Sequence, residues 1–453
     1  MKRKRRACIA FAVMLLFIVS ALTACQSGTA NSGEPNNGEP GGRGAKADLN
    51  GRTAPVSQVK AEIRGLENPG DEVLQVPIDG AGFAFSFGRK LLAEQKPGDN
   101  FVYSPLSVWL PLAALVNGTD AKDKDALLDT LGAGGMTEKQ INAYAQMLLY
   151  RISGEANREH EPEYKSPLQI ANALFVSRDE TVKPSFAQTF ADHYLGAVFN
   201  VDFTSQDAAD AVNAWGREHT DGLIEKVIEH FDPNTVAAIA NAIYYADHWA
   251  WAFSEIDTKS GAFRAEDGNA TADYMRRAGD AQLYYEDDRM QAMPLDLQNG
   301  GRMWILLPRS ESATELYLRM TADYFAEIGE GTTAQTGKLL LPKFEMSNML
   351  DLRDALTALG IPLVDGHLSP ITELLASDVG LHISDARQNA MIKVDEKGTT
   401  AAAVTVMVVR ESAVIPKPID GFEMICDKPF VFILEDCGQI LFSGVVNNPA
   451  VRS

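Results

Sequence analysis

The chain has 453 residues, 61 of them acidic and 41 basic, for a formal net charge of −20. That balance excludes the basic footprint of a nucleic-acid binder and argues against a heparin-type basic patch. No G-x-S-x-G elbow, H-E-x-x-H pair, phosphate-cradling glycine loop or Cys-x-x-Cys couple occurs, so nothing assembles a nucleophile with its base, and no cofactor or metal is expected. His160, with Glu159, Glu161 and Glu163 around it, reads as a polar surface loop rather than a metal cluster.

The N-terminus runs Lys2 to Arg6, then an apolar stretch from Ala7 to Leu22, then Leu22-Thr-Ala-Cys25. A basic start, a short apolar run and small residues before a cleavage point describe a secretory leader. The run is at the short end for a spanning helix. Leu-Thr-Ala-Cys resembles the bacterial lipobox, which implies cleavage before Cys25 and lipidation of that residue. Residues 1–24 are then the leader, and losing its five basic residues brings the mature chain near −25. From Gln26 to Pro55 the chain is dense in Gly, Asn, Pro, Ser and Glu and has no aromatic residue. Such a stretch cannot bury enough apolar surface to fold. Residues 25–73 read as a disordered tether with a reach of about 40 Å, and residues 74–453 as the folded domain. The expected location is extracytoplasmic, lipid-anchored to a bacterial cell envelope or released from it, with the lipid as the sole membrane contact and a monomeric domain.

Near the C-terminus, Phe430 to Leu434 and Ile440 to Val445 suit a hairpin turning at Asp436-Cys437-Gly438. The cross-strand partner of Cys426 then lies near residue 447 while Cys437 sits at the turn. Two free thiols and no disulfide follow.

The most informative stretch is Glu396 to Ile415. From Thr399 to Val409 it has no Gly, Pro or charge, only small or β-branched residues and one Met, so its strand propensity is high. Gly398 bounds it on one side; Arg410, Glu411 and then Pro416-Lys-Pro418 follow on the other. Thr399, Ala401, Ala403, Thr405, Met407 and Val409 would share one face, with Thr400, Ala402, Val404, Val406, Val408 and Arg410 on the other. The first half is tiny on both faces. Such a run is compatible with a buried core strand, or with a segment built to slide between existing strands later.

Val394-Asp-Glu-Lys-Gly-Thr-Thr-Ala-Ala-Ala403 resembles the hinge of an inhibitory reactive-centre loop of the serpin family. The resemblance extends, in order and at family spacing, through Asn100 to Ser107, Ile170 to Phe175, Asn241 to Tyr245 with Trp249 and Phe253, Leu341 to Phe344, Leu356 to Gly360, Ile383 to Asp385, Asp427 to Leu434 and Ile440 to Pro449. Together these span nearly everything from residue 74 onward. Two departures stand out. Ala252 takes the place of a usual Pro, and Gln388 that of a His which bridges the gap between central strands in relatives. A Gln amide can both donate and accept, so it could still bridge that gap.

The resemblance implies an α+β serpin fold with three β-sheets, about eight or nine helices and an exposed loop. It implies no enzyme. The protein would be a suicide inhibitor of serine proteases that forms a covalent complex with its target. The hinge would comprise Glu396, Gly398, Thr399, Thr400, Ala401, Ala402 and Ala403. Counting from Gly398, the family's spacing sets the reactive bond at Ser412-Ala413, which suits an elastase-like or subtilisin-like target. Arg410, implying a trypsin-like target, and Glu411 are the alternative reactive residues. Papain-like cysteine proteases remain a further target class, and a non-inhibitory binding module a further reading.

Overall fold

The computed structural model describes residues 11–20, 57–59, 78–154, 166–219, 228–266, 268–361, 369–370, 373–376, 380–399 and 421–450. The first sheet runs β2 (Ser57–Val59), β5 (Gly196–Val201), β4 (Leu168–Ser177), β6 (Thr235–Tyr245), β1 (Phe11–Ser20) and β15 (Gly380–Val394), with β13 (Phe344–Asp351) and β14 (Ser369–Pro370) also paired to β15. At one end, β16 (Gly398–Thr399) and β7 (Asp247–His248) extend it. A second sheet holds β17 (Phe422–Ile425), β12 (Thr333–Pro342), β9 (Gly268–Glu286) and β8 (Lys259–Ala265). The third holds β10 (Met290–Asp296), β11 (Arg302–Pro308), β18 (Phe430–Asp436), β19 (Gln439–Val446) and β3 (Phe101–Tyr103), joined to the second where β9 meets β10.

Among the described residues, nine α-helices pack on these sheets: α1 (Gly80–Ala93), α2 (Pro105–Leu115), α3 (Ala121–Thr130), α4 (Glu138–Ile152), α5 (Pro184–Tyr194), α6 (Gln206–Glu218), α7 (Ala313–Arg319), α8 (Ala322–Gly331) and α9 (Arg353–Ala358). The α+β class, three sheets and helix number agree with the expectation. Among the described residues no helix is long and apolar enough to cross a membrane.

Local chemistry explains the elements that matter for function. Ser104 accepts from the Ser107 amide as the N-cap of α2, and Pro105 opens its first turn, where the missing N–H costs nothing. All eleven residues of α2 are buried, because the helix is apolar on every side and runs through the core. β6 is likewise buried along its whole length. Its side chains divide with the period of two of a strand: Ile239, Ile243 and Tyr245 join the main core, whereas Ala238, Ala240 and Ala242 pack with Val212 and Trp215 of α6. The hairpin between β18 and β19 turns through Cys437 and Gly438, both at positive φ (49° and 75°), the type I′ geometry that matches strand twist. Cys426 is buried and Cys437 exposed, and both are free thiols, as expected.

Two N-terminal segments pair with the first sheet. Ser57–Val59, inside the stretch read as a tether, pairs antiparallel with Val198–Asn200 and lengthens the first sheet at the β5 edge. Phe11–Ser20, inside the expected leader, forms a strand in the middle of that sheet, parallel to both β6 and β15. An uncharged run without Gly or Pro meets the backbone requirement of an inner strand.

Candidate functional site: the hinge and the sheet slot

β15 ends at the buried Val394, after which Asp395-Glu-Lys turns the chain into β16. The turn is closed by the Asp395 amide donating to Gly398 O (3.1 Å) and by the Lys397 amide donating to Asp395 Oδ1 (2.9 Å). Gly398 sits at φ +153°, and a Cβ there would overlap the carbonyl oxygen of Asp247. Only glycine fits that approach. The next residue, Thr399, is 1% exposed and pairs with Val394 on one side and Asp247 on the other. Thr399, the first residue of the run of small and β-branched residues, is therefore seated between strands.

The segment Asp247–Thr258 holds this hinge from below. Trp249 donates its backbone amide to Lys397 O and its indole Nε1 to Asp395 O, both at 2.8 Å. The Phe253 amide donates to Glu396 O (2.9 Å), and the Thr258 hydroxyl donates to the Glu396 carboxylate (2.8 Å). Lys343, between β12 and β13, completes the set with an ion pair to Glu396 at 3.0 Å, where the Glu396 side chain is only 9% exposed. Burial alone would raise the Glu396 pKa, but the hydrogen bonds from Lys343 and Thr258 outweigh it and hold the carboxyl below its ordinary range. Asp247 is the counterpart on the other wall. It accepts from the His248 amide (2.7 Å) and from the Asn299 amide (3.0 Å) and side chain (2.8 Å), while burial raises its pKa.

Below the hinge, β6 and β15 do not pair with each other. Each pairs with β1, from Thr235 to Tyr244 on one wall and from Leu381 to Asn389 on the other. The sheet thus accommodates a ten-residue strand between these two walls. At mid-height lies a buried polar group. Gln388 accepts from the Ser104 amide and donates to the Ser104 carbonyl, both at 2.9 Å. Its amide is thus engaged with the cap of α2 behind the sheet. The expectation that it could bridge the gap to β6 is not met in this arrangement. On the β6 wall, Asn241 donates to Asn172 Oδ1 (2.7 Å), and its own Oδ1 has no hydrogen-bond partner among the described residues.

The far end of the loop is also anchored. Gly421 has φ +157°, where a Cβ would overlap Thr336 O, and Phe422–Ile425 then pairs parallel with Gly337–Leu340. The Phe422 and Tyr284 rings stack at 4.2 Å. Glu396, Gly398 and Thr399 lie together at the turn between β15 and β16. Thr400, Ala401, Ala402, Ala403, Arg410, Glu411, Ser412 and Ala413 lie outside the described residues, as do Cys25 and His160. Among the described residues no three His, Cys, Asp or Glu side chains converge on a metal position. Sequence reasoning assigned no role to Asp247, Thr258 or Lys343. Trp249 and Lys343 did stand out as family-like positions, but their partners are 146 and 53 residues away in sequence, respectively.

The profile described as Serpin (serine protease inhibitor) matches residues 80–449. The chain belongs to the serpin family. Serpin-Z7 of Hordeum vulgare is 28% identical over 369 residues, covering 78% of this chain and 91% of that one. An uncharacterized serpin-like protein of Methanosarcina acetivorans is 26% identical over 392 residues, covering 84% and 88%. Among solved structures, the thermophilic serpin tengpin in its native state superposes with a TM-score of 0.71 at 23% identity, covering 86% of this chain and 97% of that one. Thyroxine-binding globulin, in complex with thyroxine, superposes with a TM-score of 0.68 at 23% identity over 82% and 98%. The two structural likenesses speak for the serpin fold. Serpins are generally inhibitors of serine proteases and not enzymes.

Proposed function

We propose that this serpin is a suicide inhibitor of serine proteases, attacked at the Ser412-Ala413 bond. The observation that carries the reading is the seated hinge: Thr399 is already buried at the mouth of a position that admits a full strand. The protease supplies all the chemistry. Its nucleophile adds to the Ser412 carbonyl, the bond to Ala413 breaks with the amine as leaving group, and an acyl-enzyme remains that water would normally hydrolyse. The freed segment beyond Thr399 then enters between β6 and β15 as an added strand, dragging the acylated protease and distorting its active site before deacylation. In the mature chain residues 1–24 are absent, and the place of β1 passes to the loop.

Composition supports the step. Thr400 to Val409 carries neither Pro, which would remove a ladder donor, nor a charge, which would be buried unpaired. A small residue at 412 suits the shallow pocket of an elastase-like or subtilisin-like protease. Attack at Arg410 would indicate a trypsin-like target and attack at Glu411 an acid-preferring one, while papain-like cysteine proteases form acyl-enzymes of the same kind. Lipidation at Cys25 would hold the inhibitor on the outer face of the cell envelope.

The test mixes the mature chain with a panel of serine and cysteine proteases and resolves the products on denaturing gels. The expected result is an adduct stable to denaturation and a released peptide beginning at Ala413. Clean cleavage with no adduct would overturn the inhibitory reading in favour of a non-inhibitory binding module. A peptide beginning at Glu411 or Ser412 would move the bond to Arg410 or Glu411.

A further inference from the structure

We infer that Arg277 of β9 is a positioning residue that clamps the segment holding the hinge, and that on the insertion mechanism proposed above it sets how many loop cleavages end in a trapped protease. The hinge carbonyls are gripped by two residues of one short segment. Trp249 donates to Lys397 O and Asp395 O, and Phe253 donates to Glu396 O. The rings of these two residues meet edge to face, with centroids 6.0 Å apart. The near half of the segment is fixed by its backbone: Trp249 is bridged to Leu297, and the Ala250 amide donates to Asp296 O (2.9 Å). Beyond Ala250 the hold is of another kind. Arg277 Nη2 donates to Trp251 O, and the guanidinium lies over the Phe253 ring, 4.3 Å from its centroid.

A guanidinium suits both contacts at once, because its in-plane N–H groups reach a carbonyl while its flat face covers a ring. An ammonium is a point charge and meets only one of the two demands well. Burial pulls the Arg277 pKa down to about 10, with Asp280 and Asp296 acting against that fall, so the fold carries a partly desolvated charge at this place. The charge sits where it steadies the hinge support, through the Phe253 ring to the Trp249 indole and on to Asp395 O. Its backbone belongs to a fixed frame. Arg277 pairs with Leu339 of β12, and Leu339 pairs with Met424 of β17. One rung thus ties the hinge support to the strand that receives the chain after the loop. With that clamp lost, Asp395 to Lys397 would be held by a slack segment, the seat of Thr399 would loosen, and insertion would start late. Hydrolysis would then win: water takes the Ser412 acyl group from the protease nucleophile, leaving free protease and a cleaved, spent inhibitor.

Arg277→Met, which keeps the length of the stem but removes the charge and its donors, is compared with Arg277→Lys and with wild type. Hydrogen exchange reads the clamp without any protease. The Trp249 and Phe253 amides should exchange at least about tenfold faster in Arg277→Met, while those of Phe430 to Ile433 stay as slow as in wild type. On denaturing gels the ratio of cleaved to trapped molecules should rise at least about fivefold in Arg277→Met, and by a smaller factor in Arg277→Lys, which keeps a charge over the ring. Unchanged exchange at Trp249 and Phe253 would overturn the clamp. Faster exchange with an unchanged ratio would overturn its part in trapping, and identical behaviour of the Met and Lys variants would overturn the role of the charge. If wild type itself yields no adduct, the inhibitory reading fails and exchange still decides the clamp. Should Arg277→Met fail to fold, Phe253→Leu, which deprives the guanidinium of its ring, is expected to speed exchange at Trp249 in the same way; exchange at the wild-type rate there would overturn the inference.

Discussion

The hairpin of β18 and β19 and the slot between β6 and β15 are both buried β-structure, yet they are built from different material. The hairpin pairs Phe430 to Asp436 with Gln439 to Val446, with one register shift between Leu434 and Glu435, and Phe430, Val431, Phe432 and Ile433 have no exposure. Its large side chains interlock with Phe344, whose ring meets those of Phe430 and Phe432. The β6 wall instead presents Ala237, Ala238, Ala240 and Ala242, and the polar residues Asn172, Asn241 and Gln388 lie buried across its middle. Close-packed large residues resist displacement, because any shift opens cavities. On the face that packs against α6, a row of alanines has little side-chain volume to lose when a neighbour is exchanged. On the proposed mechanism, the difference in side-chain volume between the two regions separates a permanent ladder from one that admits a strand.

The largest expected effect breaks the exchangeable region. Thr399→Arg would force a guanidinium into a position that is 1% exposed, at a cost of several kcal/mol for an unpaired buried charge. Adduct yield on denaturing gels should collapse by at least about tenfold while loop cleavage continues. An undiminished yield would disprove the seating of the hinge. Phe432→Ala strikes the permanent region instead. Loss of a fully buried ring should cost about 3–5 kcal/mol of stability in denaturant melts, with the ratio of trapped to cleaved molecules unchanged. A shift in that ratio would show that the two regions are not independent.

Glu396→Gln sharpens the comparison at the hinge. Because the folded carboxyl is held below its ordinary pKa of 4.5 by Lys343 and Thr258, its contribution to stability is full above that value and fades as pH falls through the depressed one. The melting temperature of wild type should therefore exceed that of Glu396→Gln at pH 7, with the gap closing on titration below pH ~4.5. A gap that widens in acid would refute the assignment. The smallest effect is expected from Lys338→Ala. This removes an ion pair to Glu423, whose side chain is 60% exposed, and should change stability by less than about 1 kcal/mol.

Much of this molecule was legible in its residues. The fold class, the free thiols and the turn at Cys437 all followed from composition, spacing and resemblance. Gln388 illustrates the limit. Its identity at a gap position was evident, but nothing in a one-dimensional pattern reveals that Ser104, 284 residues away, would satisfy both ends of its amide. The roles of Asp247, Thr258 and Lys343 were hidden for the same reason: their partners meet only once β15, β12 and β7 are packed together.

By itself the sequence determined which segments are able to be strands, because backbone propensity, charge and the presence of Pro or Gly are local properties. It marked Thr399 to Val409 as a run with high strand propensity, and it read Phe11–Ser20 only as part of the apolar run of a leader. Which of the two holds the place between β6 and β15 was decided only by tertiary structure. Strand pairing is a competition for a finite set of wall donors and acceptors, and its outcome depends on what else is within reach.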